Sequence, residues 1–280
     1  MPECIYSDSK QKVYWKHEDG SKNWKTPFLE DDPYNPKTKE KSTGDLETWR
    51  KSCNLTKRKI HASMLSEDTN HLDVCCGRGG DIHKFKYSKV KTVIGIDISP
   101  SALEEAVCRS AKSGLKSRFF LLDLTKVNHP TQTIKKYKLS TISIMFAFHY
   151  FLKSKQTLLN FISYINGLNL STGCKLYGIT PDWQKIKQGM DREYCKIDFI
   201  SKIPDNLNDS NCFGIAYKFW LRGLVESNDG TSGVLEYLVY FPVVEKIFED
   251  YGWKCLSLEK IDNKDGNDDG IYLYYCFHRI

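Results

Sequence analysis

The chain has 280 residues, of which 40% are hydrophobic and 27% charged, and its formal net charge is +6. This length allows one large α/β domain or two smaller ones. No stretch reaches the roughly eighteen apolar residues that a membrane helix needs, and no signal-peptide pattern is present, so we expect an intracellular protein without a membrane segment. The ten cysteines form no C-x-x-C pair, so we predict no metal site. The mild positive charge permits a polyanionic partner without requiring one.

Residues 1–45 are polar and turn-rich, and little in them repeats with a structural period. We therefore predict an N-terminal arm or linker over 1–45, and a single globular domain over 46–280. The arm is expected to touch the domain through three aromatic anchors, Trp15, Trp24 and Phe28. From 45 to about 65 the apolar spacing predicts a helix.

Apolar runs then alternate with helical patterns. The alternation predicts strands at 71–76, 92–98, 118–123, 141–147 and 174–180 and helices at 80–87, 101–112 and 154–168. Such alternation is typical of parallel βαβ units in a sheet covered by helices on both faces. Further strands are predicted at 213–221, 236–242, 253–260 and 271–278, with a helix at 243–251. Because few helices separate them, we expect an antiparallel edge, in which two strands complete a seven-stranded sheet.

The first predicted strand leads into a glycine-rich turn and the start of a helix, with the sequence HLDVCCGRGGD over 71–81. Glycines in such a turn permit positive φ and let a ligand approach the backbone at the helix N-terminus. A dinucleotide would place a pyrophosphate there, but Asp73 and Asp81 flank the turn and disfavour it. They suit a cationic ligand with an amino-acid moiety, such as S-adenosylmethionine. The alternative is a turn that binds nothing.

The next two strands also finish in acids, Asp97 and Asp123. Open α/β sheets bind ligands outside the carboxyl ends of their strands. Asp97 is thus placed to hold ribose hydroxyls, and Asp123 to meet an adenine edge. Three successive acidic strand ends therefore favour a nucleoside-containing cofactor.

Four separated stretches resemble the mRNA cap guanine-N7 methyltransferases, particularly those of large DNA viruses. They are LDVCCGRGGD at 72–81, FAFHY at 146–150, EYLVYFP at 236–242 and IYLYYCF at 271–277. The resemblance covers roughly 50–280, and its second and third stretches are the more specific. It implies a class I S-adenosylmethionine-dependent methyltransferase: a Rossmann-like α/β fold with a mostly parallel seven-stranded sheet, an antiparallel edge and helices on both faces. It also implies methyl transfer to guanine N7 of GpppN-capped mRNA.

The resemblance implies two sets of site residues. Cofactor contacts would come from Lys57, Asp73, Cys75, Gly77, Asp81, Asp97, Asp123, Met145 and Tyr150. Cap contacts would come from Asn54, Arg78, Lys84, Arg109, Phe146, His149, Glu236 and Tyr272. Three positions depart from the family pattern: Cys75 replaces the usual Gly, Met145 a common Gln, and Cys53-Asn54-Leu55 only partly matches Asn-Asn-Trp.

The residue types suit this chemistry, although each has a structural alternative. Guanine presents N1–H and an exocyclic amine as adjacent donors, and the Glu236 carboxylate can accept from both, unless it is simply a satisfied buried acid. Aromatic rings such as Tyr272 and Phe146 can stack on a base or pack in the core. Basic side chains can meet the triphosphate bridge or lie in solvent: Arg78, Lys84 and Arg109.

Methyl transfer to N7 needs no proton removal, because the N7 lone pair is free near neutral pH. We therefore predict no essential general base and assign orientation of the reactants to His149, Tyr150 and Glu236.

Two other interpretations stay open. One is a catalytically weak methyltransferase-fold RNA-binding or regulatory subunit of a capping complex. The departures at Cys75 and Met145 keep this interpretation open, and the intact site residues oppose it: Asp73, Asp97, Asp123, Glu236 and Tyr272. The other is a methyltransferase for another substrate, which leaves EYLVYFP unexplained. The implied partners are capped RNA and, fused or bound, triphosphatase and guanylyltransferase modules. A viral member would occupy the cytoplasm of an infected cell or the virion.

Overall fold

The computed structural model describes residues 1–7, 9–10, 12–27, 45–192, 195–221, 225, 232–261 and 270–280. Its strands are β1 (Glu3–Ser7), β2 (Lys12–Lys16), β3 (Lys22–Asn23), β4 (Asn70–Val74), β5 (Thr92–Asp97), β6 (Ser117–Leu121), β7 (Leu139–Met145), β8 (Leu170–Pro181), β9 (Met190–Arg192), β10 (Cys195–Phe199), β11 (Ala216–Leu221), β12 (Val234–Tyr237), β13 (Trp253–Lys260) and β14 (Tyr272–Arg279). Its helices are α1 (Asp45–Met64), α2 (Ile82–Tyr87), α3 (Pro100–Ser113), α4 (Gln132–Lys135), α5 (Lys155–Asn166), α6 (Trp183–Gln188) and α7 (Phe241–Asp250), with a 3-10 helix at Phe148–Lys153.

The main sheet runs in the order β13-β14-β8-β7-β4-β5-β6-β1-β2-β3. Strands β4 to β8 pair in parallel, and β14 is antiparallel to both β8 and β13. The seven strands from β13 to β6 are therefore the predicted methyltransferase sheet with its antiparallel edge, and this prediction is confirmed. The carboxyl ends of β4 and β5 lie side by side at one edge, where the candidate site forms.

Local sequence accounts for the parallel elements. Strand β5 is buried at every position, as expected of a continuous apolar run covered on both faces. Helix α3 begins where Ser99 Oγ accepts from the Ala102 N–H, with Pro100 in the first turn, and ends at Gly114 with φ +69°. Both signals are typical of helix ends.

The N-terminal residues form strands where the sequence predicts an arm. Strands β1 and β2 make a hairpin, and β1 pairs antiparallel with β6. Trp15 is 1% exposed and packs with Cys4 and Phe119. Together with β3, which pairs with β2, the hairpin extends the main sheet by three strands. Residues 28–44 lie outside the described residues. They include the predicted anchor Phe28 and end at the predicted boundary, so the domain division stays a prediction.

A second sheet, in the order β12-β11-β10-β9, is antiparallel throughout. Of the four later strands that the sequence predicts, β11 and β12 pair with each other in this second sheet, and β13 and β14 form the antiparallel edge of the main sheet. The strand predicted at 236–242 is also shorter than expected, because Pro242 lies in the first turn of α7. Among the described residues, no helix combines the length and apolar character that crossing a bilayer requires.

Candidate functional site

The loop between β4 and α2 lies at the carboxyl edge of the sheet and has three residues with positive φ. These are Cys75 at +55°, Gly77 at +50° and Gly79 at +68°. A Cβ on Gly79 would lie 2.4 Å from Ile82 Cδ1 and 3.2 Å from the Ala106 backbone. Glycine at 79 therefore lets the loop lie against α3. At Cys75, the family's usual glycine would adopt this conformation without strain.

Asp97 ties the end of β5 to the loop. Its Oδ2 accepts from the Gly77 N–H at 2.7 Å, and its Oδ1 accepts from the Ser99 N–H at 2.8 Å. A buried carboxylate held by backbone donors at the carboxyl end of β5 is placed where the ribose hydroxyls of a nucleoside cofactor are expected.

Asp73 is buried at the end of β4, and its Oδ1 accepts from Ser143 Oγ at 2.8 Å. Ser143 Oγ also lies 2.9 Å from His71 Nε2, and His71 Nδ1 lies 2.8 Å from Thr141 Oγ1. Burial holds the pKa of His71 well below its usual value, so one ring nitrogen donates and the other accepts. When Asp73 is ionised, the chain runs in one direction: Thr141 donates to His71, His71 to Ser143, and Ser143 to Asp73.

Burial, with a smaller contribution from Asp81, raises the pKa of Asp73 to about 8. Burial favours the protonated form of this carboxyl group, and a nearby cation would favour its ionised form. The site therefore fits the cationic amino-acid end of the expected cofactor.

Asp81 sits in a buried cluster with two lysines and a histidine. Its Oδ1 lies 2.8 Å from both Lys57 Nζ and Lys84 Nζ, and its Oδ2 lies 3.8 Å from His61 Nε2. Burial alone would raise the pKa of Asp81, but Lys57, His61 and Lys84 outweigh it and hold the pKa well below its usual value. Lys84 Nζ also donates to Asn54 Oδ1 at 3.1 Å. Residues predicted for the cofactor and for the cap thus meet in one cluster.

A second cluster surrounds Glu236 on β12. Its side chain is buried, with 4% of the residue exposed, and its Oε2 accepts from Tyr217 Oη at 3.0 Å. Burial raises the pKa of Glu236 to about 8. His149 Nε2 lies 3.5 Å from Glu236 Oε1, but burial lowers the pKa of His149 to about 3, so the imidazole is neutral and this contact is not an ion pair.

Neither ring nitrogen of His149 has a hydrogen-bond partner among the described residues. The His149 ring lies 4.2 Å from that of Tyr150, which is 38% exposed. Glu236 and His149 are therefore buried polar groups with unused hydrogen-bonding capacity beside an accessible aromatic ring. Such groups are costly unless a ligand completes their bonding.

Aromatic rings lie beside the Asp81 cluster. Phe146 has φ +59° and meets Tyr272 edge-on, with ring centroids 4.9 Å apart. Trp49 of α1 lies 6.1 Å from Tyr272 on another side, and Lys57 Nζ lies 5.9 Å from the Phe146 centroid. Met145 packs in the same apolar group. The Asp81 cluster and these rings therefore share Lys57 as a neighbour.

Three other predicted residues lie on the loop after β6, on α3 and on the loop after β4: Asp123, Arg109 and Arg78. Asp123 accepts from Thr125 and lies 3.1 Å from Lys126 Nζ. Arg109 pairs with Glu105 within α3, and lies about 13 Å along the axis from the start of that helix. Arg78 lies partly exposed in the loop after β4.

Sequence reasoning missed several residues that hold the site together. The roles of His61 and His71 depend on partners that are distant in sequence: Tyr177 and Asp81 for the first, and Thr141 and Ser143 for the second. Tyr217 was missed because its pairing with Glu236 depends on the register of β11 against β12. The one available signal was His71 at the head of an otherwise apolar run ending in Asp73.

Comparison with known proteins defines the family. Residues 42–264 match the model of the mRNA (guanine-N(7))-methyltransferase domain, which covers most of the chain. The chain belongs to the mRNA (guanine-N7)-methyltransferase family. This confirms the family expected from the resemblance.

Several relatives of the guanine-N7 methyltransferase family are named mRNA cap guanine-N(7) methyltransferase. The Candida albicans protein is 24% identical over 219 residues, covering 64% of this chain and 44% of the relative. The Caenorhabditis elegans protein is 25% identical over 229 residues, covering 76% of this chain and 58% of the relative. The Drosophila melanogaster protein is 28% identical over 208 residues, covering 66% and 46%. The chain thus spans about half the length of these relatives, which are fungal and animal, so a viral origin stays a prediction.

Solved structures agree on the fold. An S-adenosylmethionine-dependent methyltransferase from Clostridium acetobutylicum is 17% identical, with a TM-score of 0.52, over 84% of this chain and 92% of that one. The PH0226 protein of Pyrococcus horikoshii is 12% identical, with a TM-score of 0.57, over 91% and 100%. At such identities the likeness shows the fold alone. Fold and family together support the expected cofactor, S-adenosylmethionine.

Proposed function

We propose that this chain transfers a methyl group from S-adenosylmethionine to N7 of the guanine in GpppN-capped mRNA, forming cap 0. The Glu236 cluster is the observation that carries the proposal. Glu236 is buried with one neutral donor, Tyr217, and its pKa is raised to about 8 by burial. A ligand with two adjacent N–H donors would compensate the buried carboxylate, and guanine offers N1–H and its exocyclic amine side by side.

The same contact would orient the reaction. N1–H and the exocyclic amine lie on the Watson–Crick edge of guanine, whereas N7 lies on the opposite side of the purine. Binding of that edge by Glu236 would therefore leave N7 unobstructed. Tyr150 offers an accessible ring against which a flat base can pack, and Phe146 and Tyr272 form a rigid aromatic wall.

The cofactor would lie along the loop after β4. When bound, S-adenosylmethionine supplies a methyl group on a positively charged sulfur. Asp97 would accept from the ribose hydroxyls, Asp73 would face the cationic amino-acid end, and backbone at Cys75 and Gly77 would line the cradle. Asp123 is assigned to the adenine edge, and Met145 and Tyr150 to the remaining cofactor contacts.

The Asp81 cluster suits a neighbouring polyphosphate. Lys57 and Lys84 provide two ammonium groups against one carboxylate, and burial lowers the pKa of His61, which favours its neutral form. One positive charge therefore remains in excess, close to the Phe146 ring. We assign the cap triphosphate to this cluster through Asn54 and Lys84, with Arg78 and Arg109 as further cap contacts.

No residue is required to act as a general base in this proposal. Guanine N7 carries no proton, so its lone pair can attack the methyl carbon as the bond to sulfur breaks, and the positive charge passes to the purine. His149 is neutral at physiological pH, because burial lowers its pKa to about 3. We assign it to hydrogen bonding with the cap, and rate enhancement to alignment and electrostatics.

The acceptor GpppN must be made before this chain acts. Removal of a terminal phosphate and guanylyl transfer produce it, so we propose that triphosphatase and guanylyltransferase modules act before this chain, either fused to it or bound. The alternative function, a catalytically weak RNA-binding or regulatory subunit, keeps the same site and loses only the transfer step.

The proposal is tested by methyl transfer from radiolabelled S-adenosylmethionine to GpppA, with m7GpppA and ApppA as parallel acceptors. We expect label on GpppA alone. Glu236→Gln should lower kcat/KM for GpppA by about 100-fold, because an amide oxygen replaces a charged acceptor of two hydrogen bonds. Affinity for S-adenosylmethionine should stay within about twofold of wild type, because that side chain is assigned to the cap.

Glu249→Gln, at an exposed position on α7, is the matched control and should methylate GpppA at the wild-type rate. Label on ApppA or m7GpppA would contradict guanine N7 specificity. Cofactor binding without label on any acceptor would favour the regulatory subunit, and an unchanged rate in Glu236→Gln would remove that residue from the site.

A further inference from the structure

The N-terminal hairpin has a polar outer face that the proposed site does not use. In β2, Val13 and Trp15 pack on the core side, so the alternating residues Lys12, Tyr14 and Lys16 lie on the opposite face. Both lysines are exposed. We call the following residues the hairpin face: Lys10, Lys12, Tyr14, Lys16, Lys22 and Trp24.

Ammonium groups and aromatic rings lie next to each other on the hairpin face. Lys10 Nζ is 4.4 Å from the Trp24 ring centroid, and Lys22 Nζ is 5.1 Å from that of Tyr14. The two rings are 5.2 Å apart, and Trp24 is 43% exposed. Proteins that bind single-stranded nucleic acid use this combination, in which bases stack on the rings and phosphates meet the cations.

The lysines are arranged in a way that costs stability in the free protein. Lys16 and Lys22 are directly opposite in the β2–β3 pairing, and like charges in this position repel each other. Nearby acids are engaged elsewhere: Glu3 pairs with Arg118, and Glu18 pairs with the N-terminal amine at 2.6 Å. A polyanion would relieve the repulsion between the two lysines.

The register places these lysines on the same side of the main sheet as the carboxyl ends of the parallel strands, where the candidate site lies. Glu3 pairs with Phe120 near the carboxyl end of β6, and Lys16 and Lys22 follow in the same row. Strands β2 and β3 are three and four positions from β5 in the sheet order, or roughly 14–19 Å. A few nucleotides of extended RNA could cover this distance.

We propose that the hairpin face binds the single-stranded RNA that follows the cap. Binding of single-stranded RNA is independent of the proposed function, and only the position of that RNA after a cap rests on that function. The exposed indole beside the lysines favours RNA over an acidic peptide, which has no bases to stack.

The test is fluorescence anisotropy of a labelled, uncapped single-stranded RNA of about twelve nucleotides, within the length range that such surfaces cover. Lys16→Glu/Lys22→Glu should raise Kd at least about tenfold and reduce the salt slope, d log K/d log[salt], by about 1.4 in magnitude. Trp24→Ala should raise Kd by about fivefold or more through lost stacking. Lys254→Glu, an exposed position on β13 at the opposite edge, is the matched control and should bind like wild type.

Equal RNA affinity in all four proteins would overturn the proposal, as would an equal loss in Lys254→Glu. Polyglutamate binding as tight as RNA binding, with no effect of Trp24→Ala, would instead identify a surface for acidic proteins. Methylation of GpppA, which is too short to reach the hairpin face, should be unchanged in every variant. Failure of wild-type protein to methylate GpppA would contradict the proposed function and leave the RNA-binding result standing.

Discussion

Asp73 is the residue at which cofactor binding should depend most on pH. Its pKa in the free protein is raised to about 8, by burial first and then by Asp81. Below that pH the carboxyl is mostly protonated, whereas a cationic ligand favours the carboxylate. Binding of S-adenosylmethionine should therefore release a proton below pH 8, and affinity should rise with pH by up to about tenfold per unit before levelling off above pH 8.

Isothermal titration calorimetry in buffers of different ionisation enthalpy measures both the affinity and the proton release. Asp73→Asn should weaken binding and abolish its rise with pH. Ser143→Ala should move the midpoint to higher pH, because the Ser143 hydrogen bond lowers the pKa of Asp73. Proton uptake by the wild-type protein, or affinity independent of pH, would show that Asp73 does not face the cation.

The loop after β4 lies between α2 and α3, and two adjacent glycines in it should differ in how well they tolerate substitution by alanine. Gly79 has φ +68°, and an added Cβ would lie 2.4 Å from Ile82 Cδ1. At Gly80 an added Cβ meets nothing within 4 Å and φ is not positive. We expect Gly79→Ala to lower the free energy of unfolding by about 1–3 kcal/mol, and Gly80→Ala to change it by less than about 0.5 kcal/mol.

Urea denaturation followed by circular dichroism gives both values. Gly80→Ala is the control, since it makes the same chemical change one residue away. Equal stability of the two variants would mean that the loop moves to accommodate a methyl group, and that its contact with α3 is not fixed.

The helices and strands that depend on residues close in sequence could be predicted from the sequence. The parallel strands and the glycine loop follow from contiguous apolar runs, turn residues and the Ser99-Pro100 helix start, all of which depend on residues close in sequence. Strands β1 to β3 were missed because β2 is five residues long and has lysines at both ends. Strand β2 is stabilised by its pairing with β1, which in turn pairs with β6, and by the packing of Trp15 on α3.

The candidate site was predictable only in part, for a related reason. Asp73 and Asp97 stand at strand ends, and their common edge follows from parallel pairing. The cluster around Lys84 could not be predicted as a whole. Lys84 pairs with Asp81 three residues earlier, but its hydrogen bond to Asn54 requires α1 to pack beside α2. Arg109 illustrates the opposite case, in which a cation assigned by resemblance pairs within its own helix.

At the scale of the whole molecule, the hairpin raises the question of whether residues before 45 belong to the folded unit. Trp15 is buried against Leu103, Ala106 and Phe119, and its Nε1 donates to Glu104 Oε1 at 2.9 Å. Trp15→Ala should lower the free energy of unfolding by about 3–5 kcal/mol, as large-to-small changes in a core do. Trp24→Ala, at an exposed indole in the same hairpin, should cost less than about 1 kcal/mol.

The shape of the urea transition then decides between one folded unit and two. If Trp15→Ala shifts a single transition seen equally by circular dichroism and tryptophan fluorescence, the hairpin unfolds with the main sheet, and the domain begins near residue 3. If an early transition separates while the main midpoint keeps its wild-type value, the hairpin is an independent appendage, and the boundary near 45 stands. Because β1 pairs along β6 and α3 covers Trp15, we expect the single shifted transition.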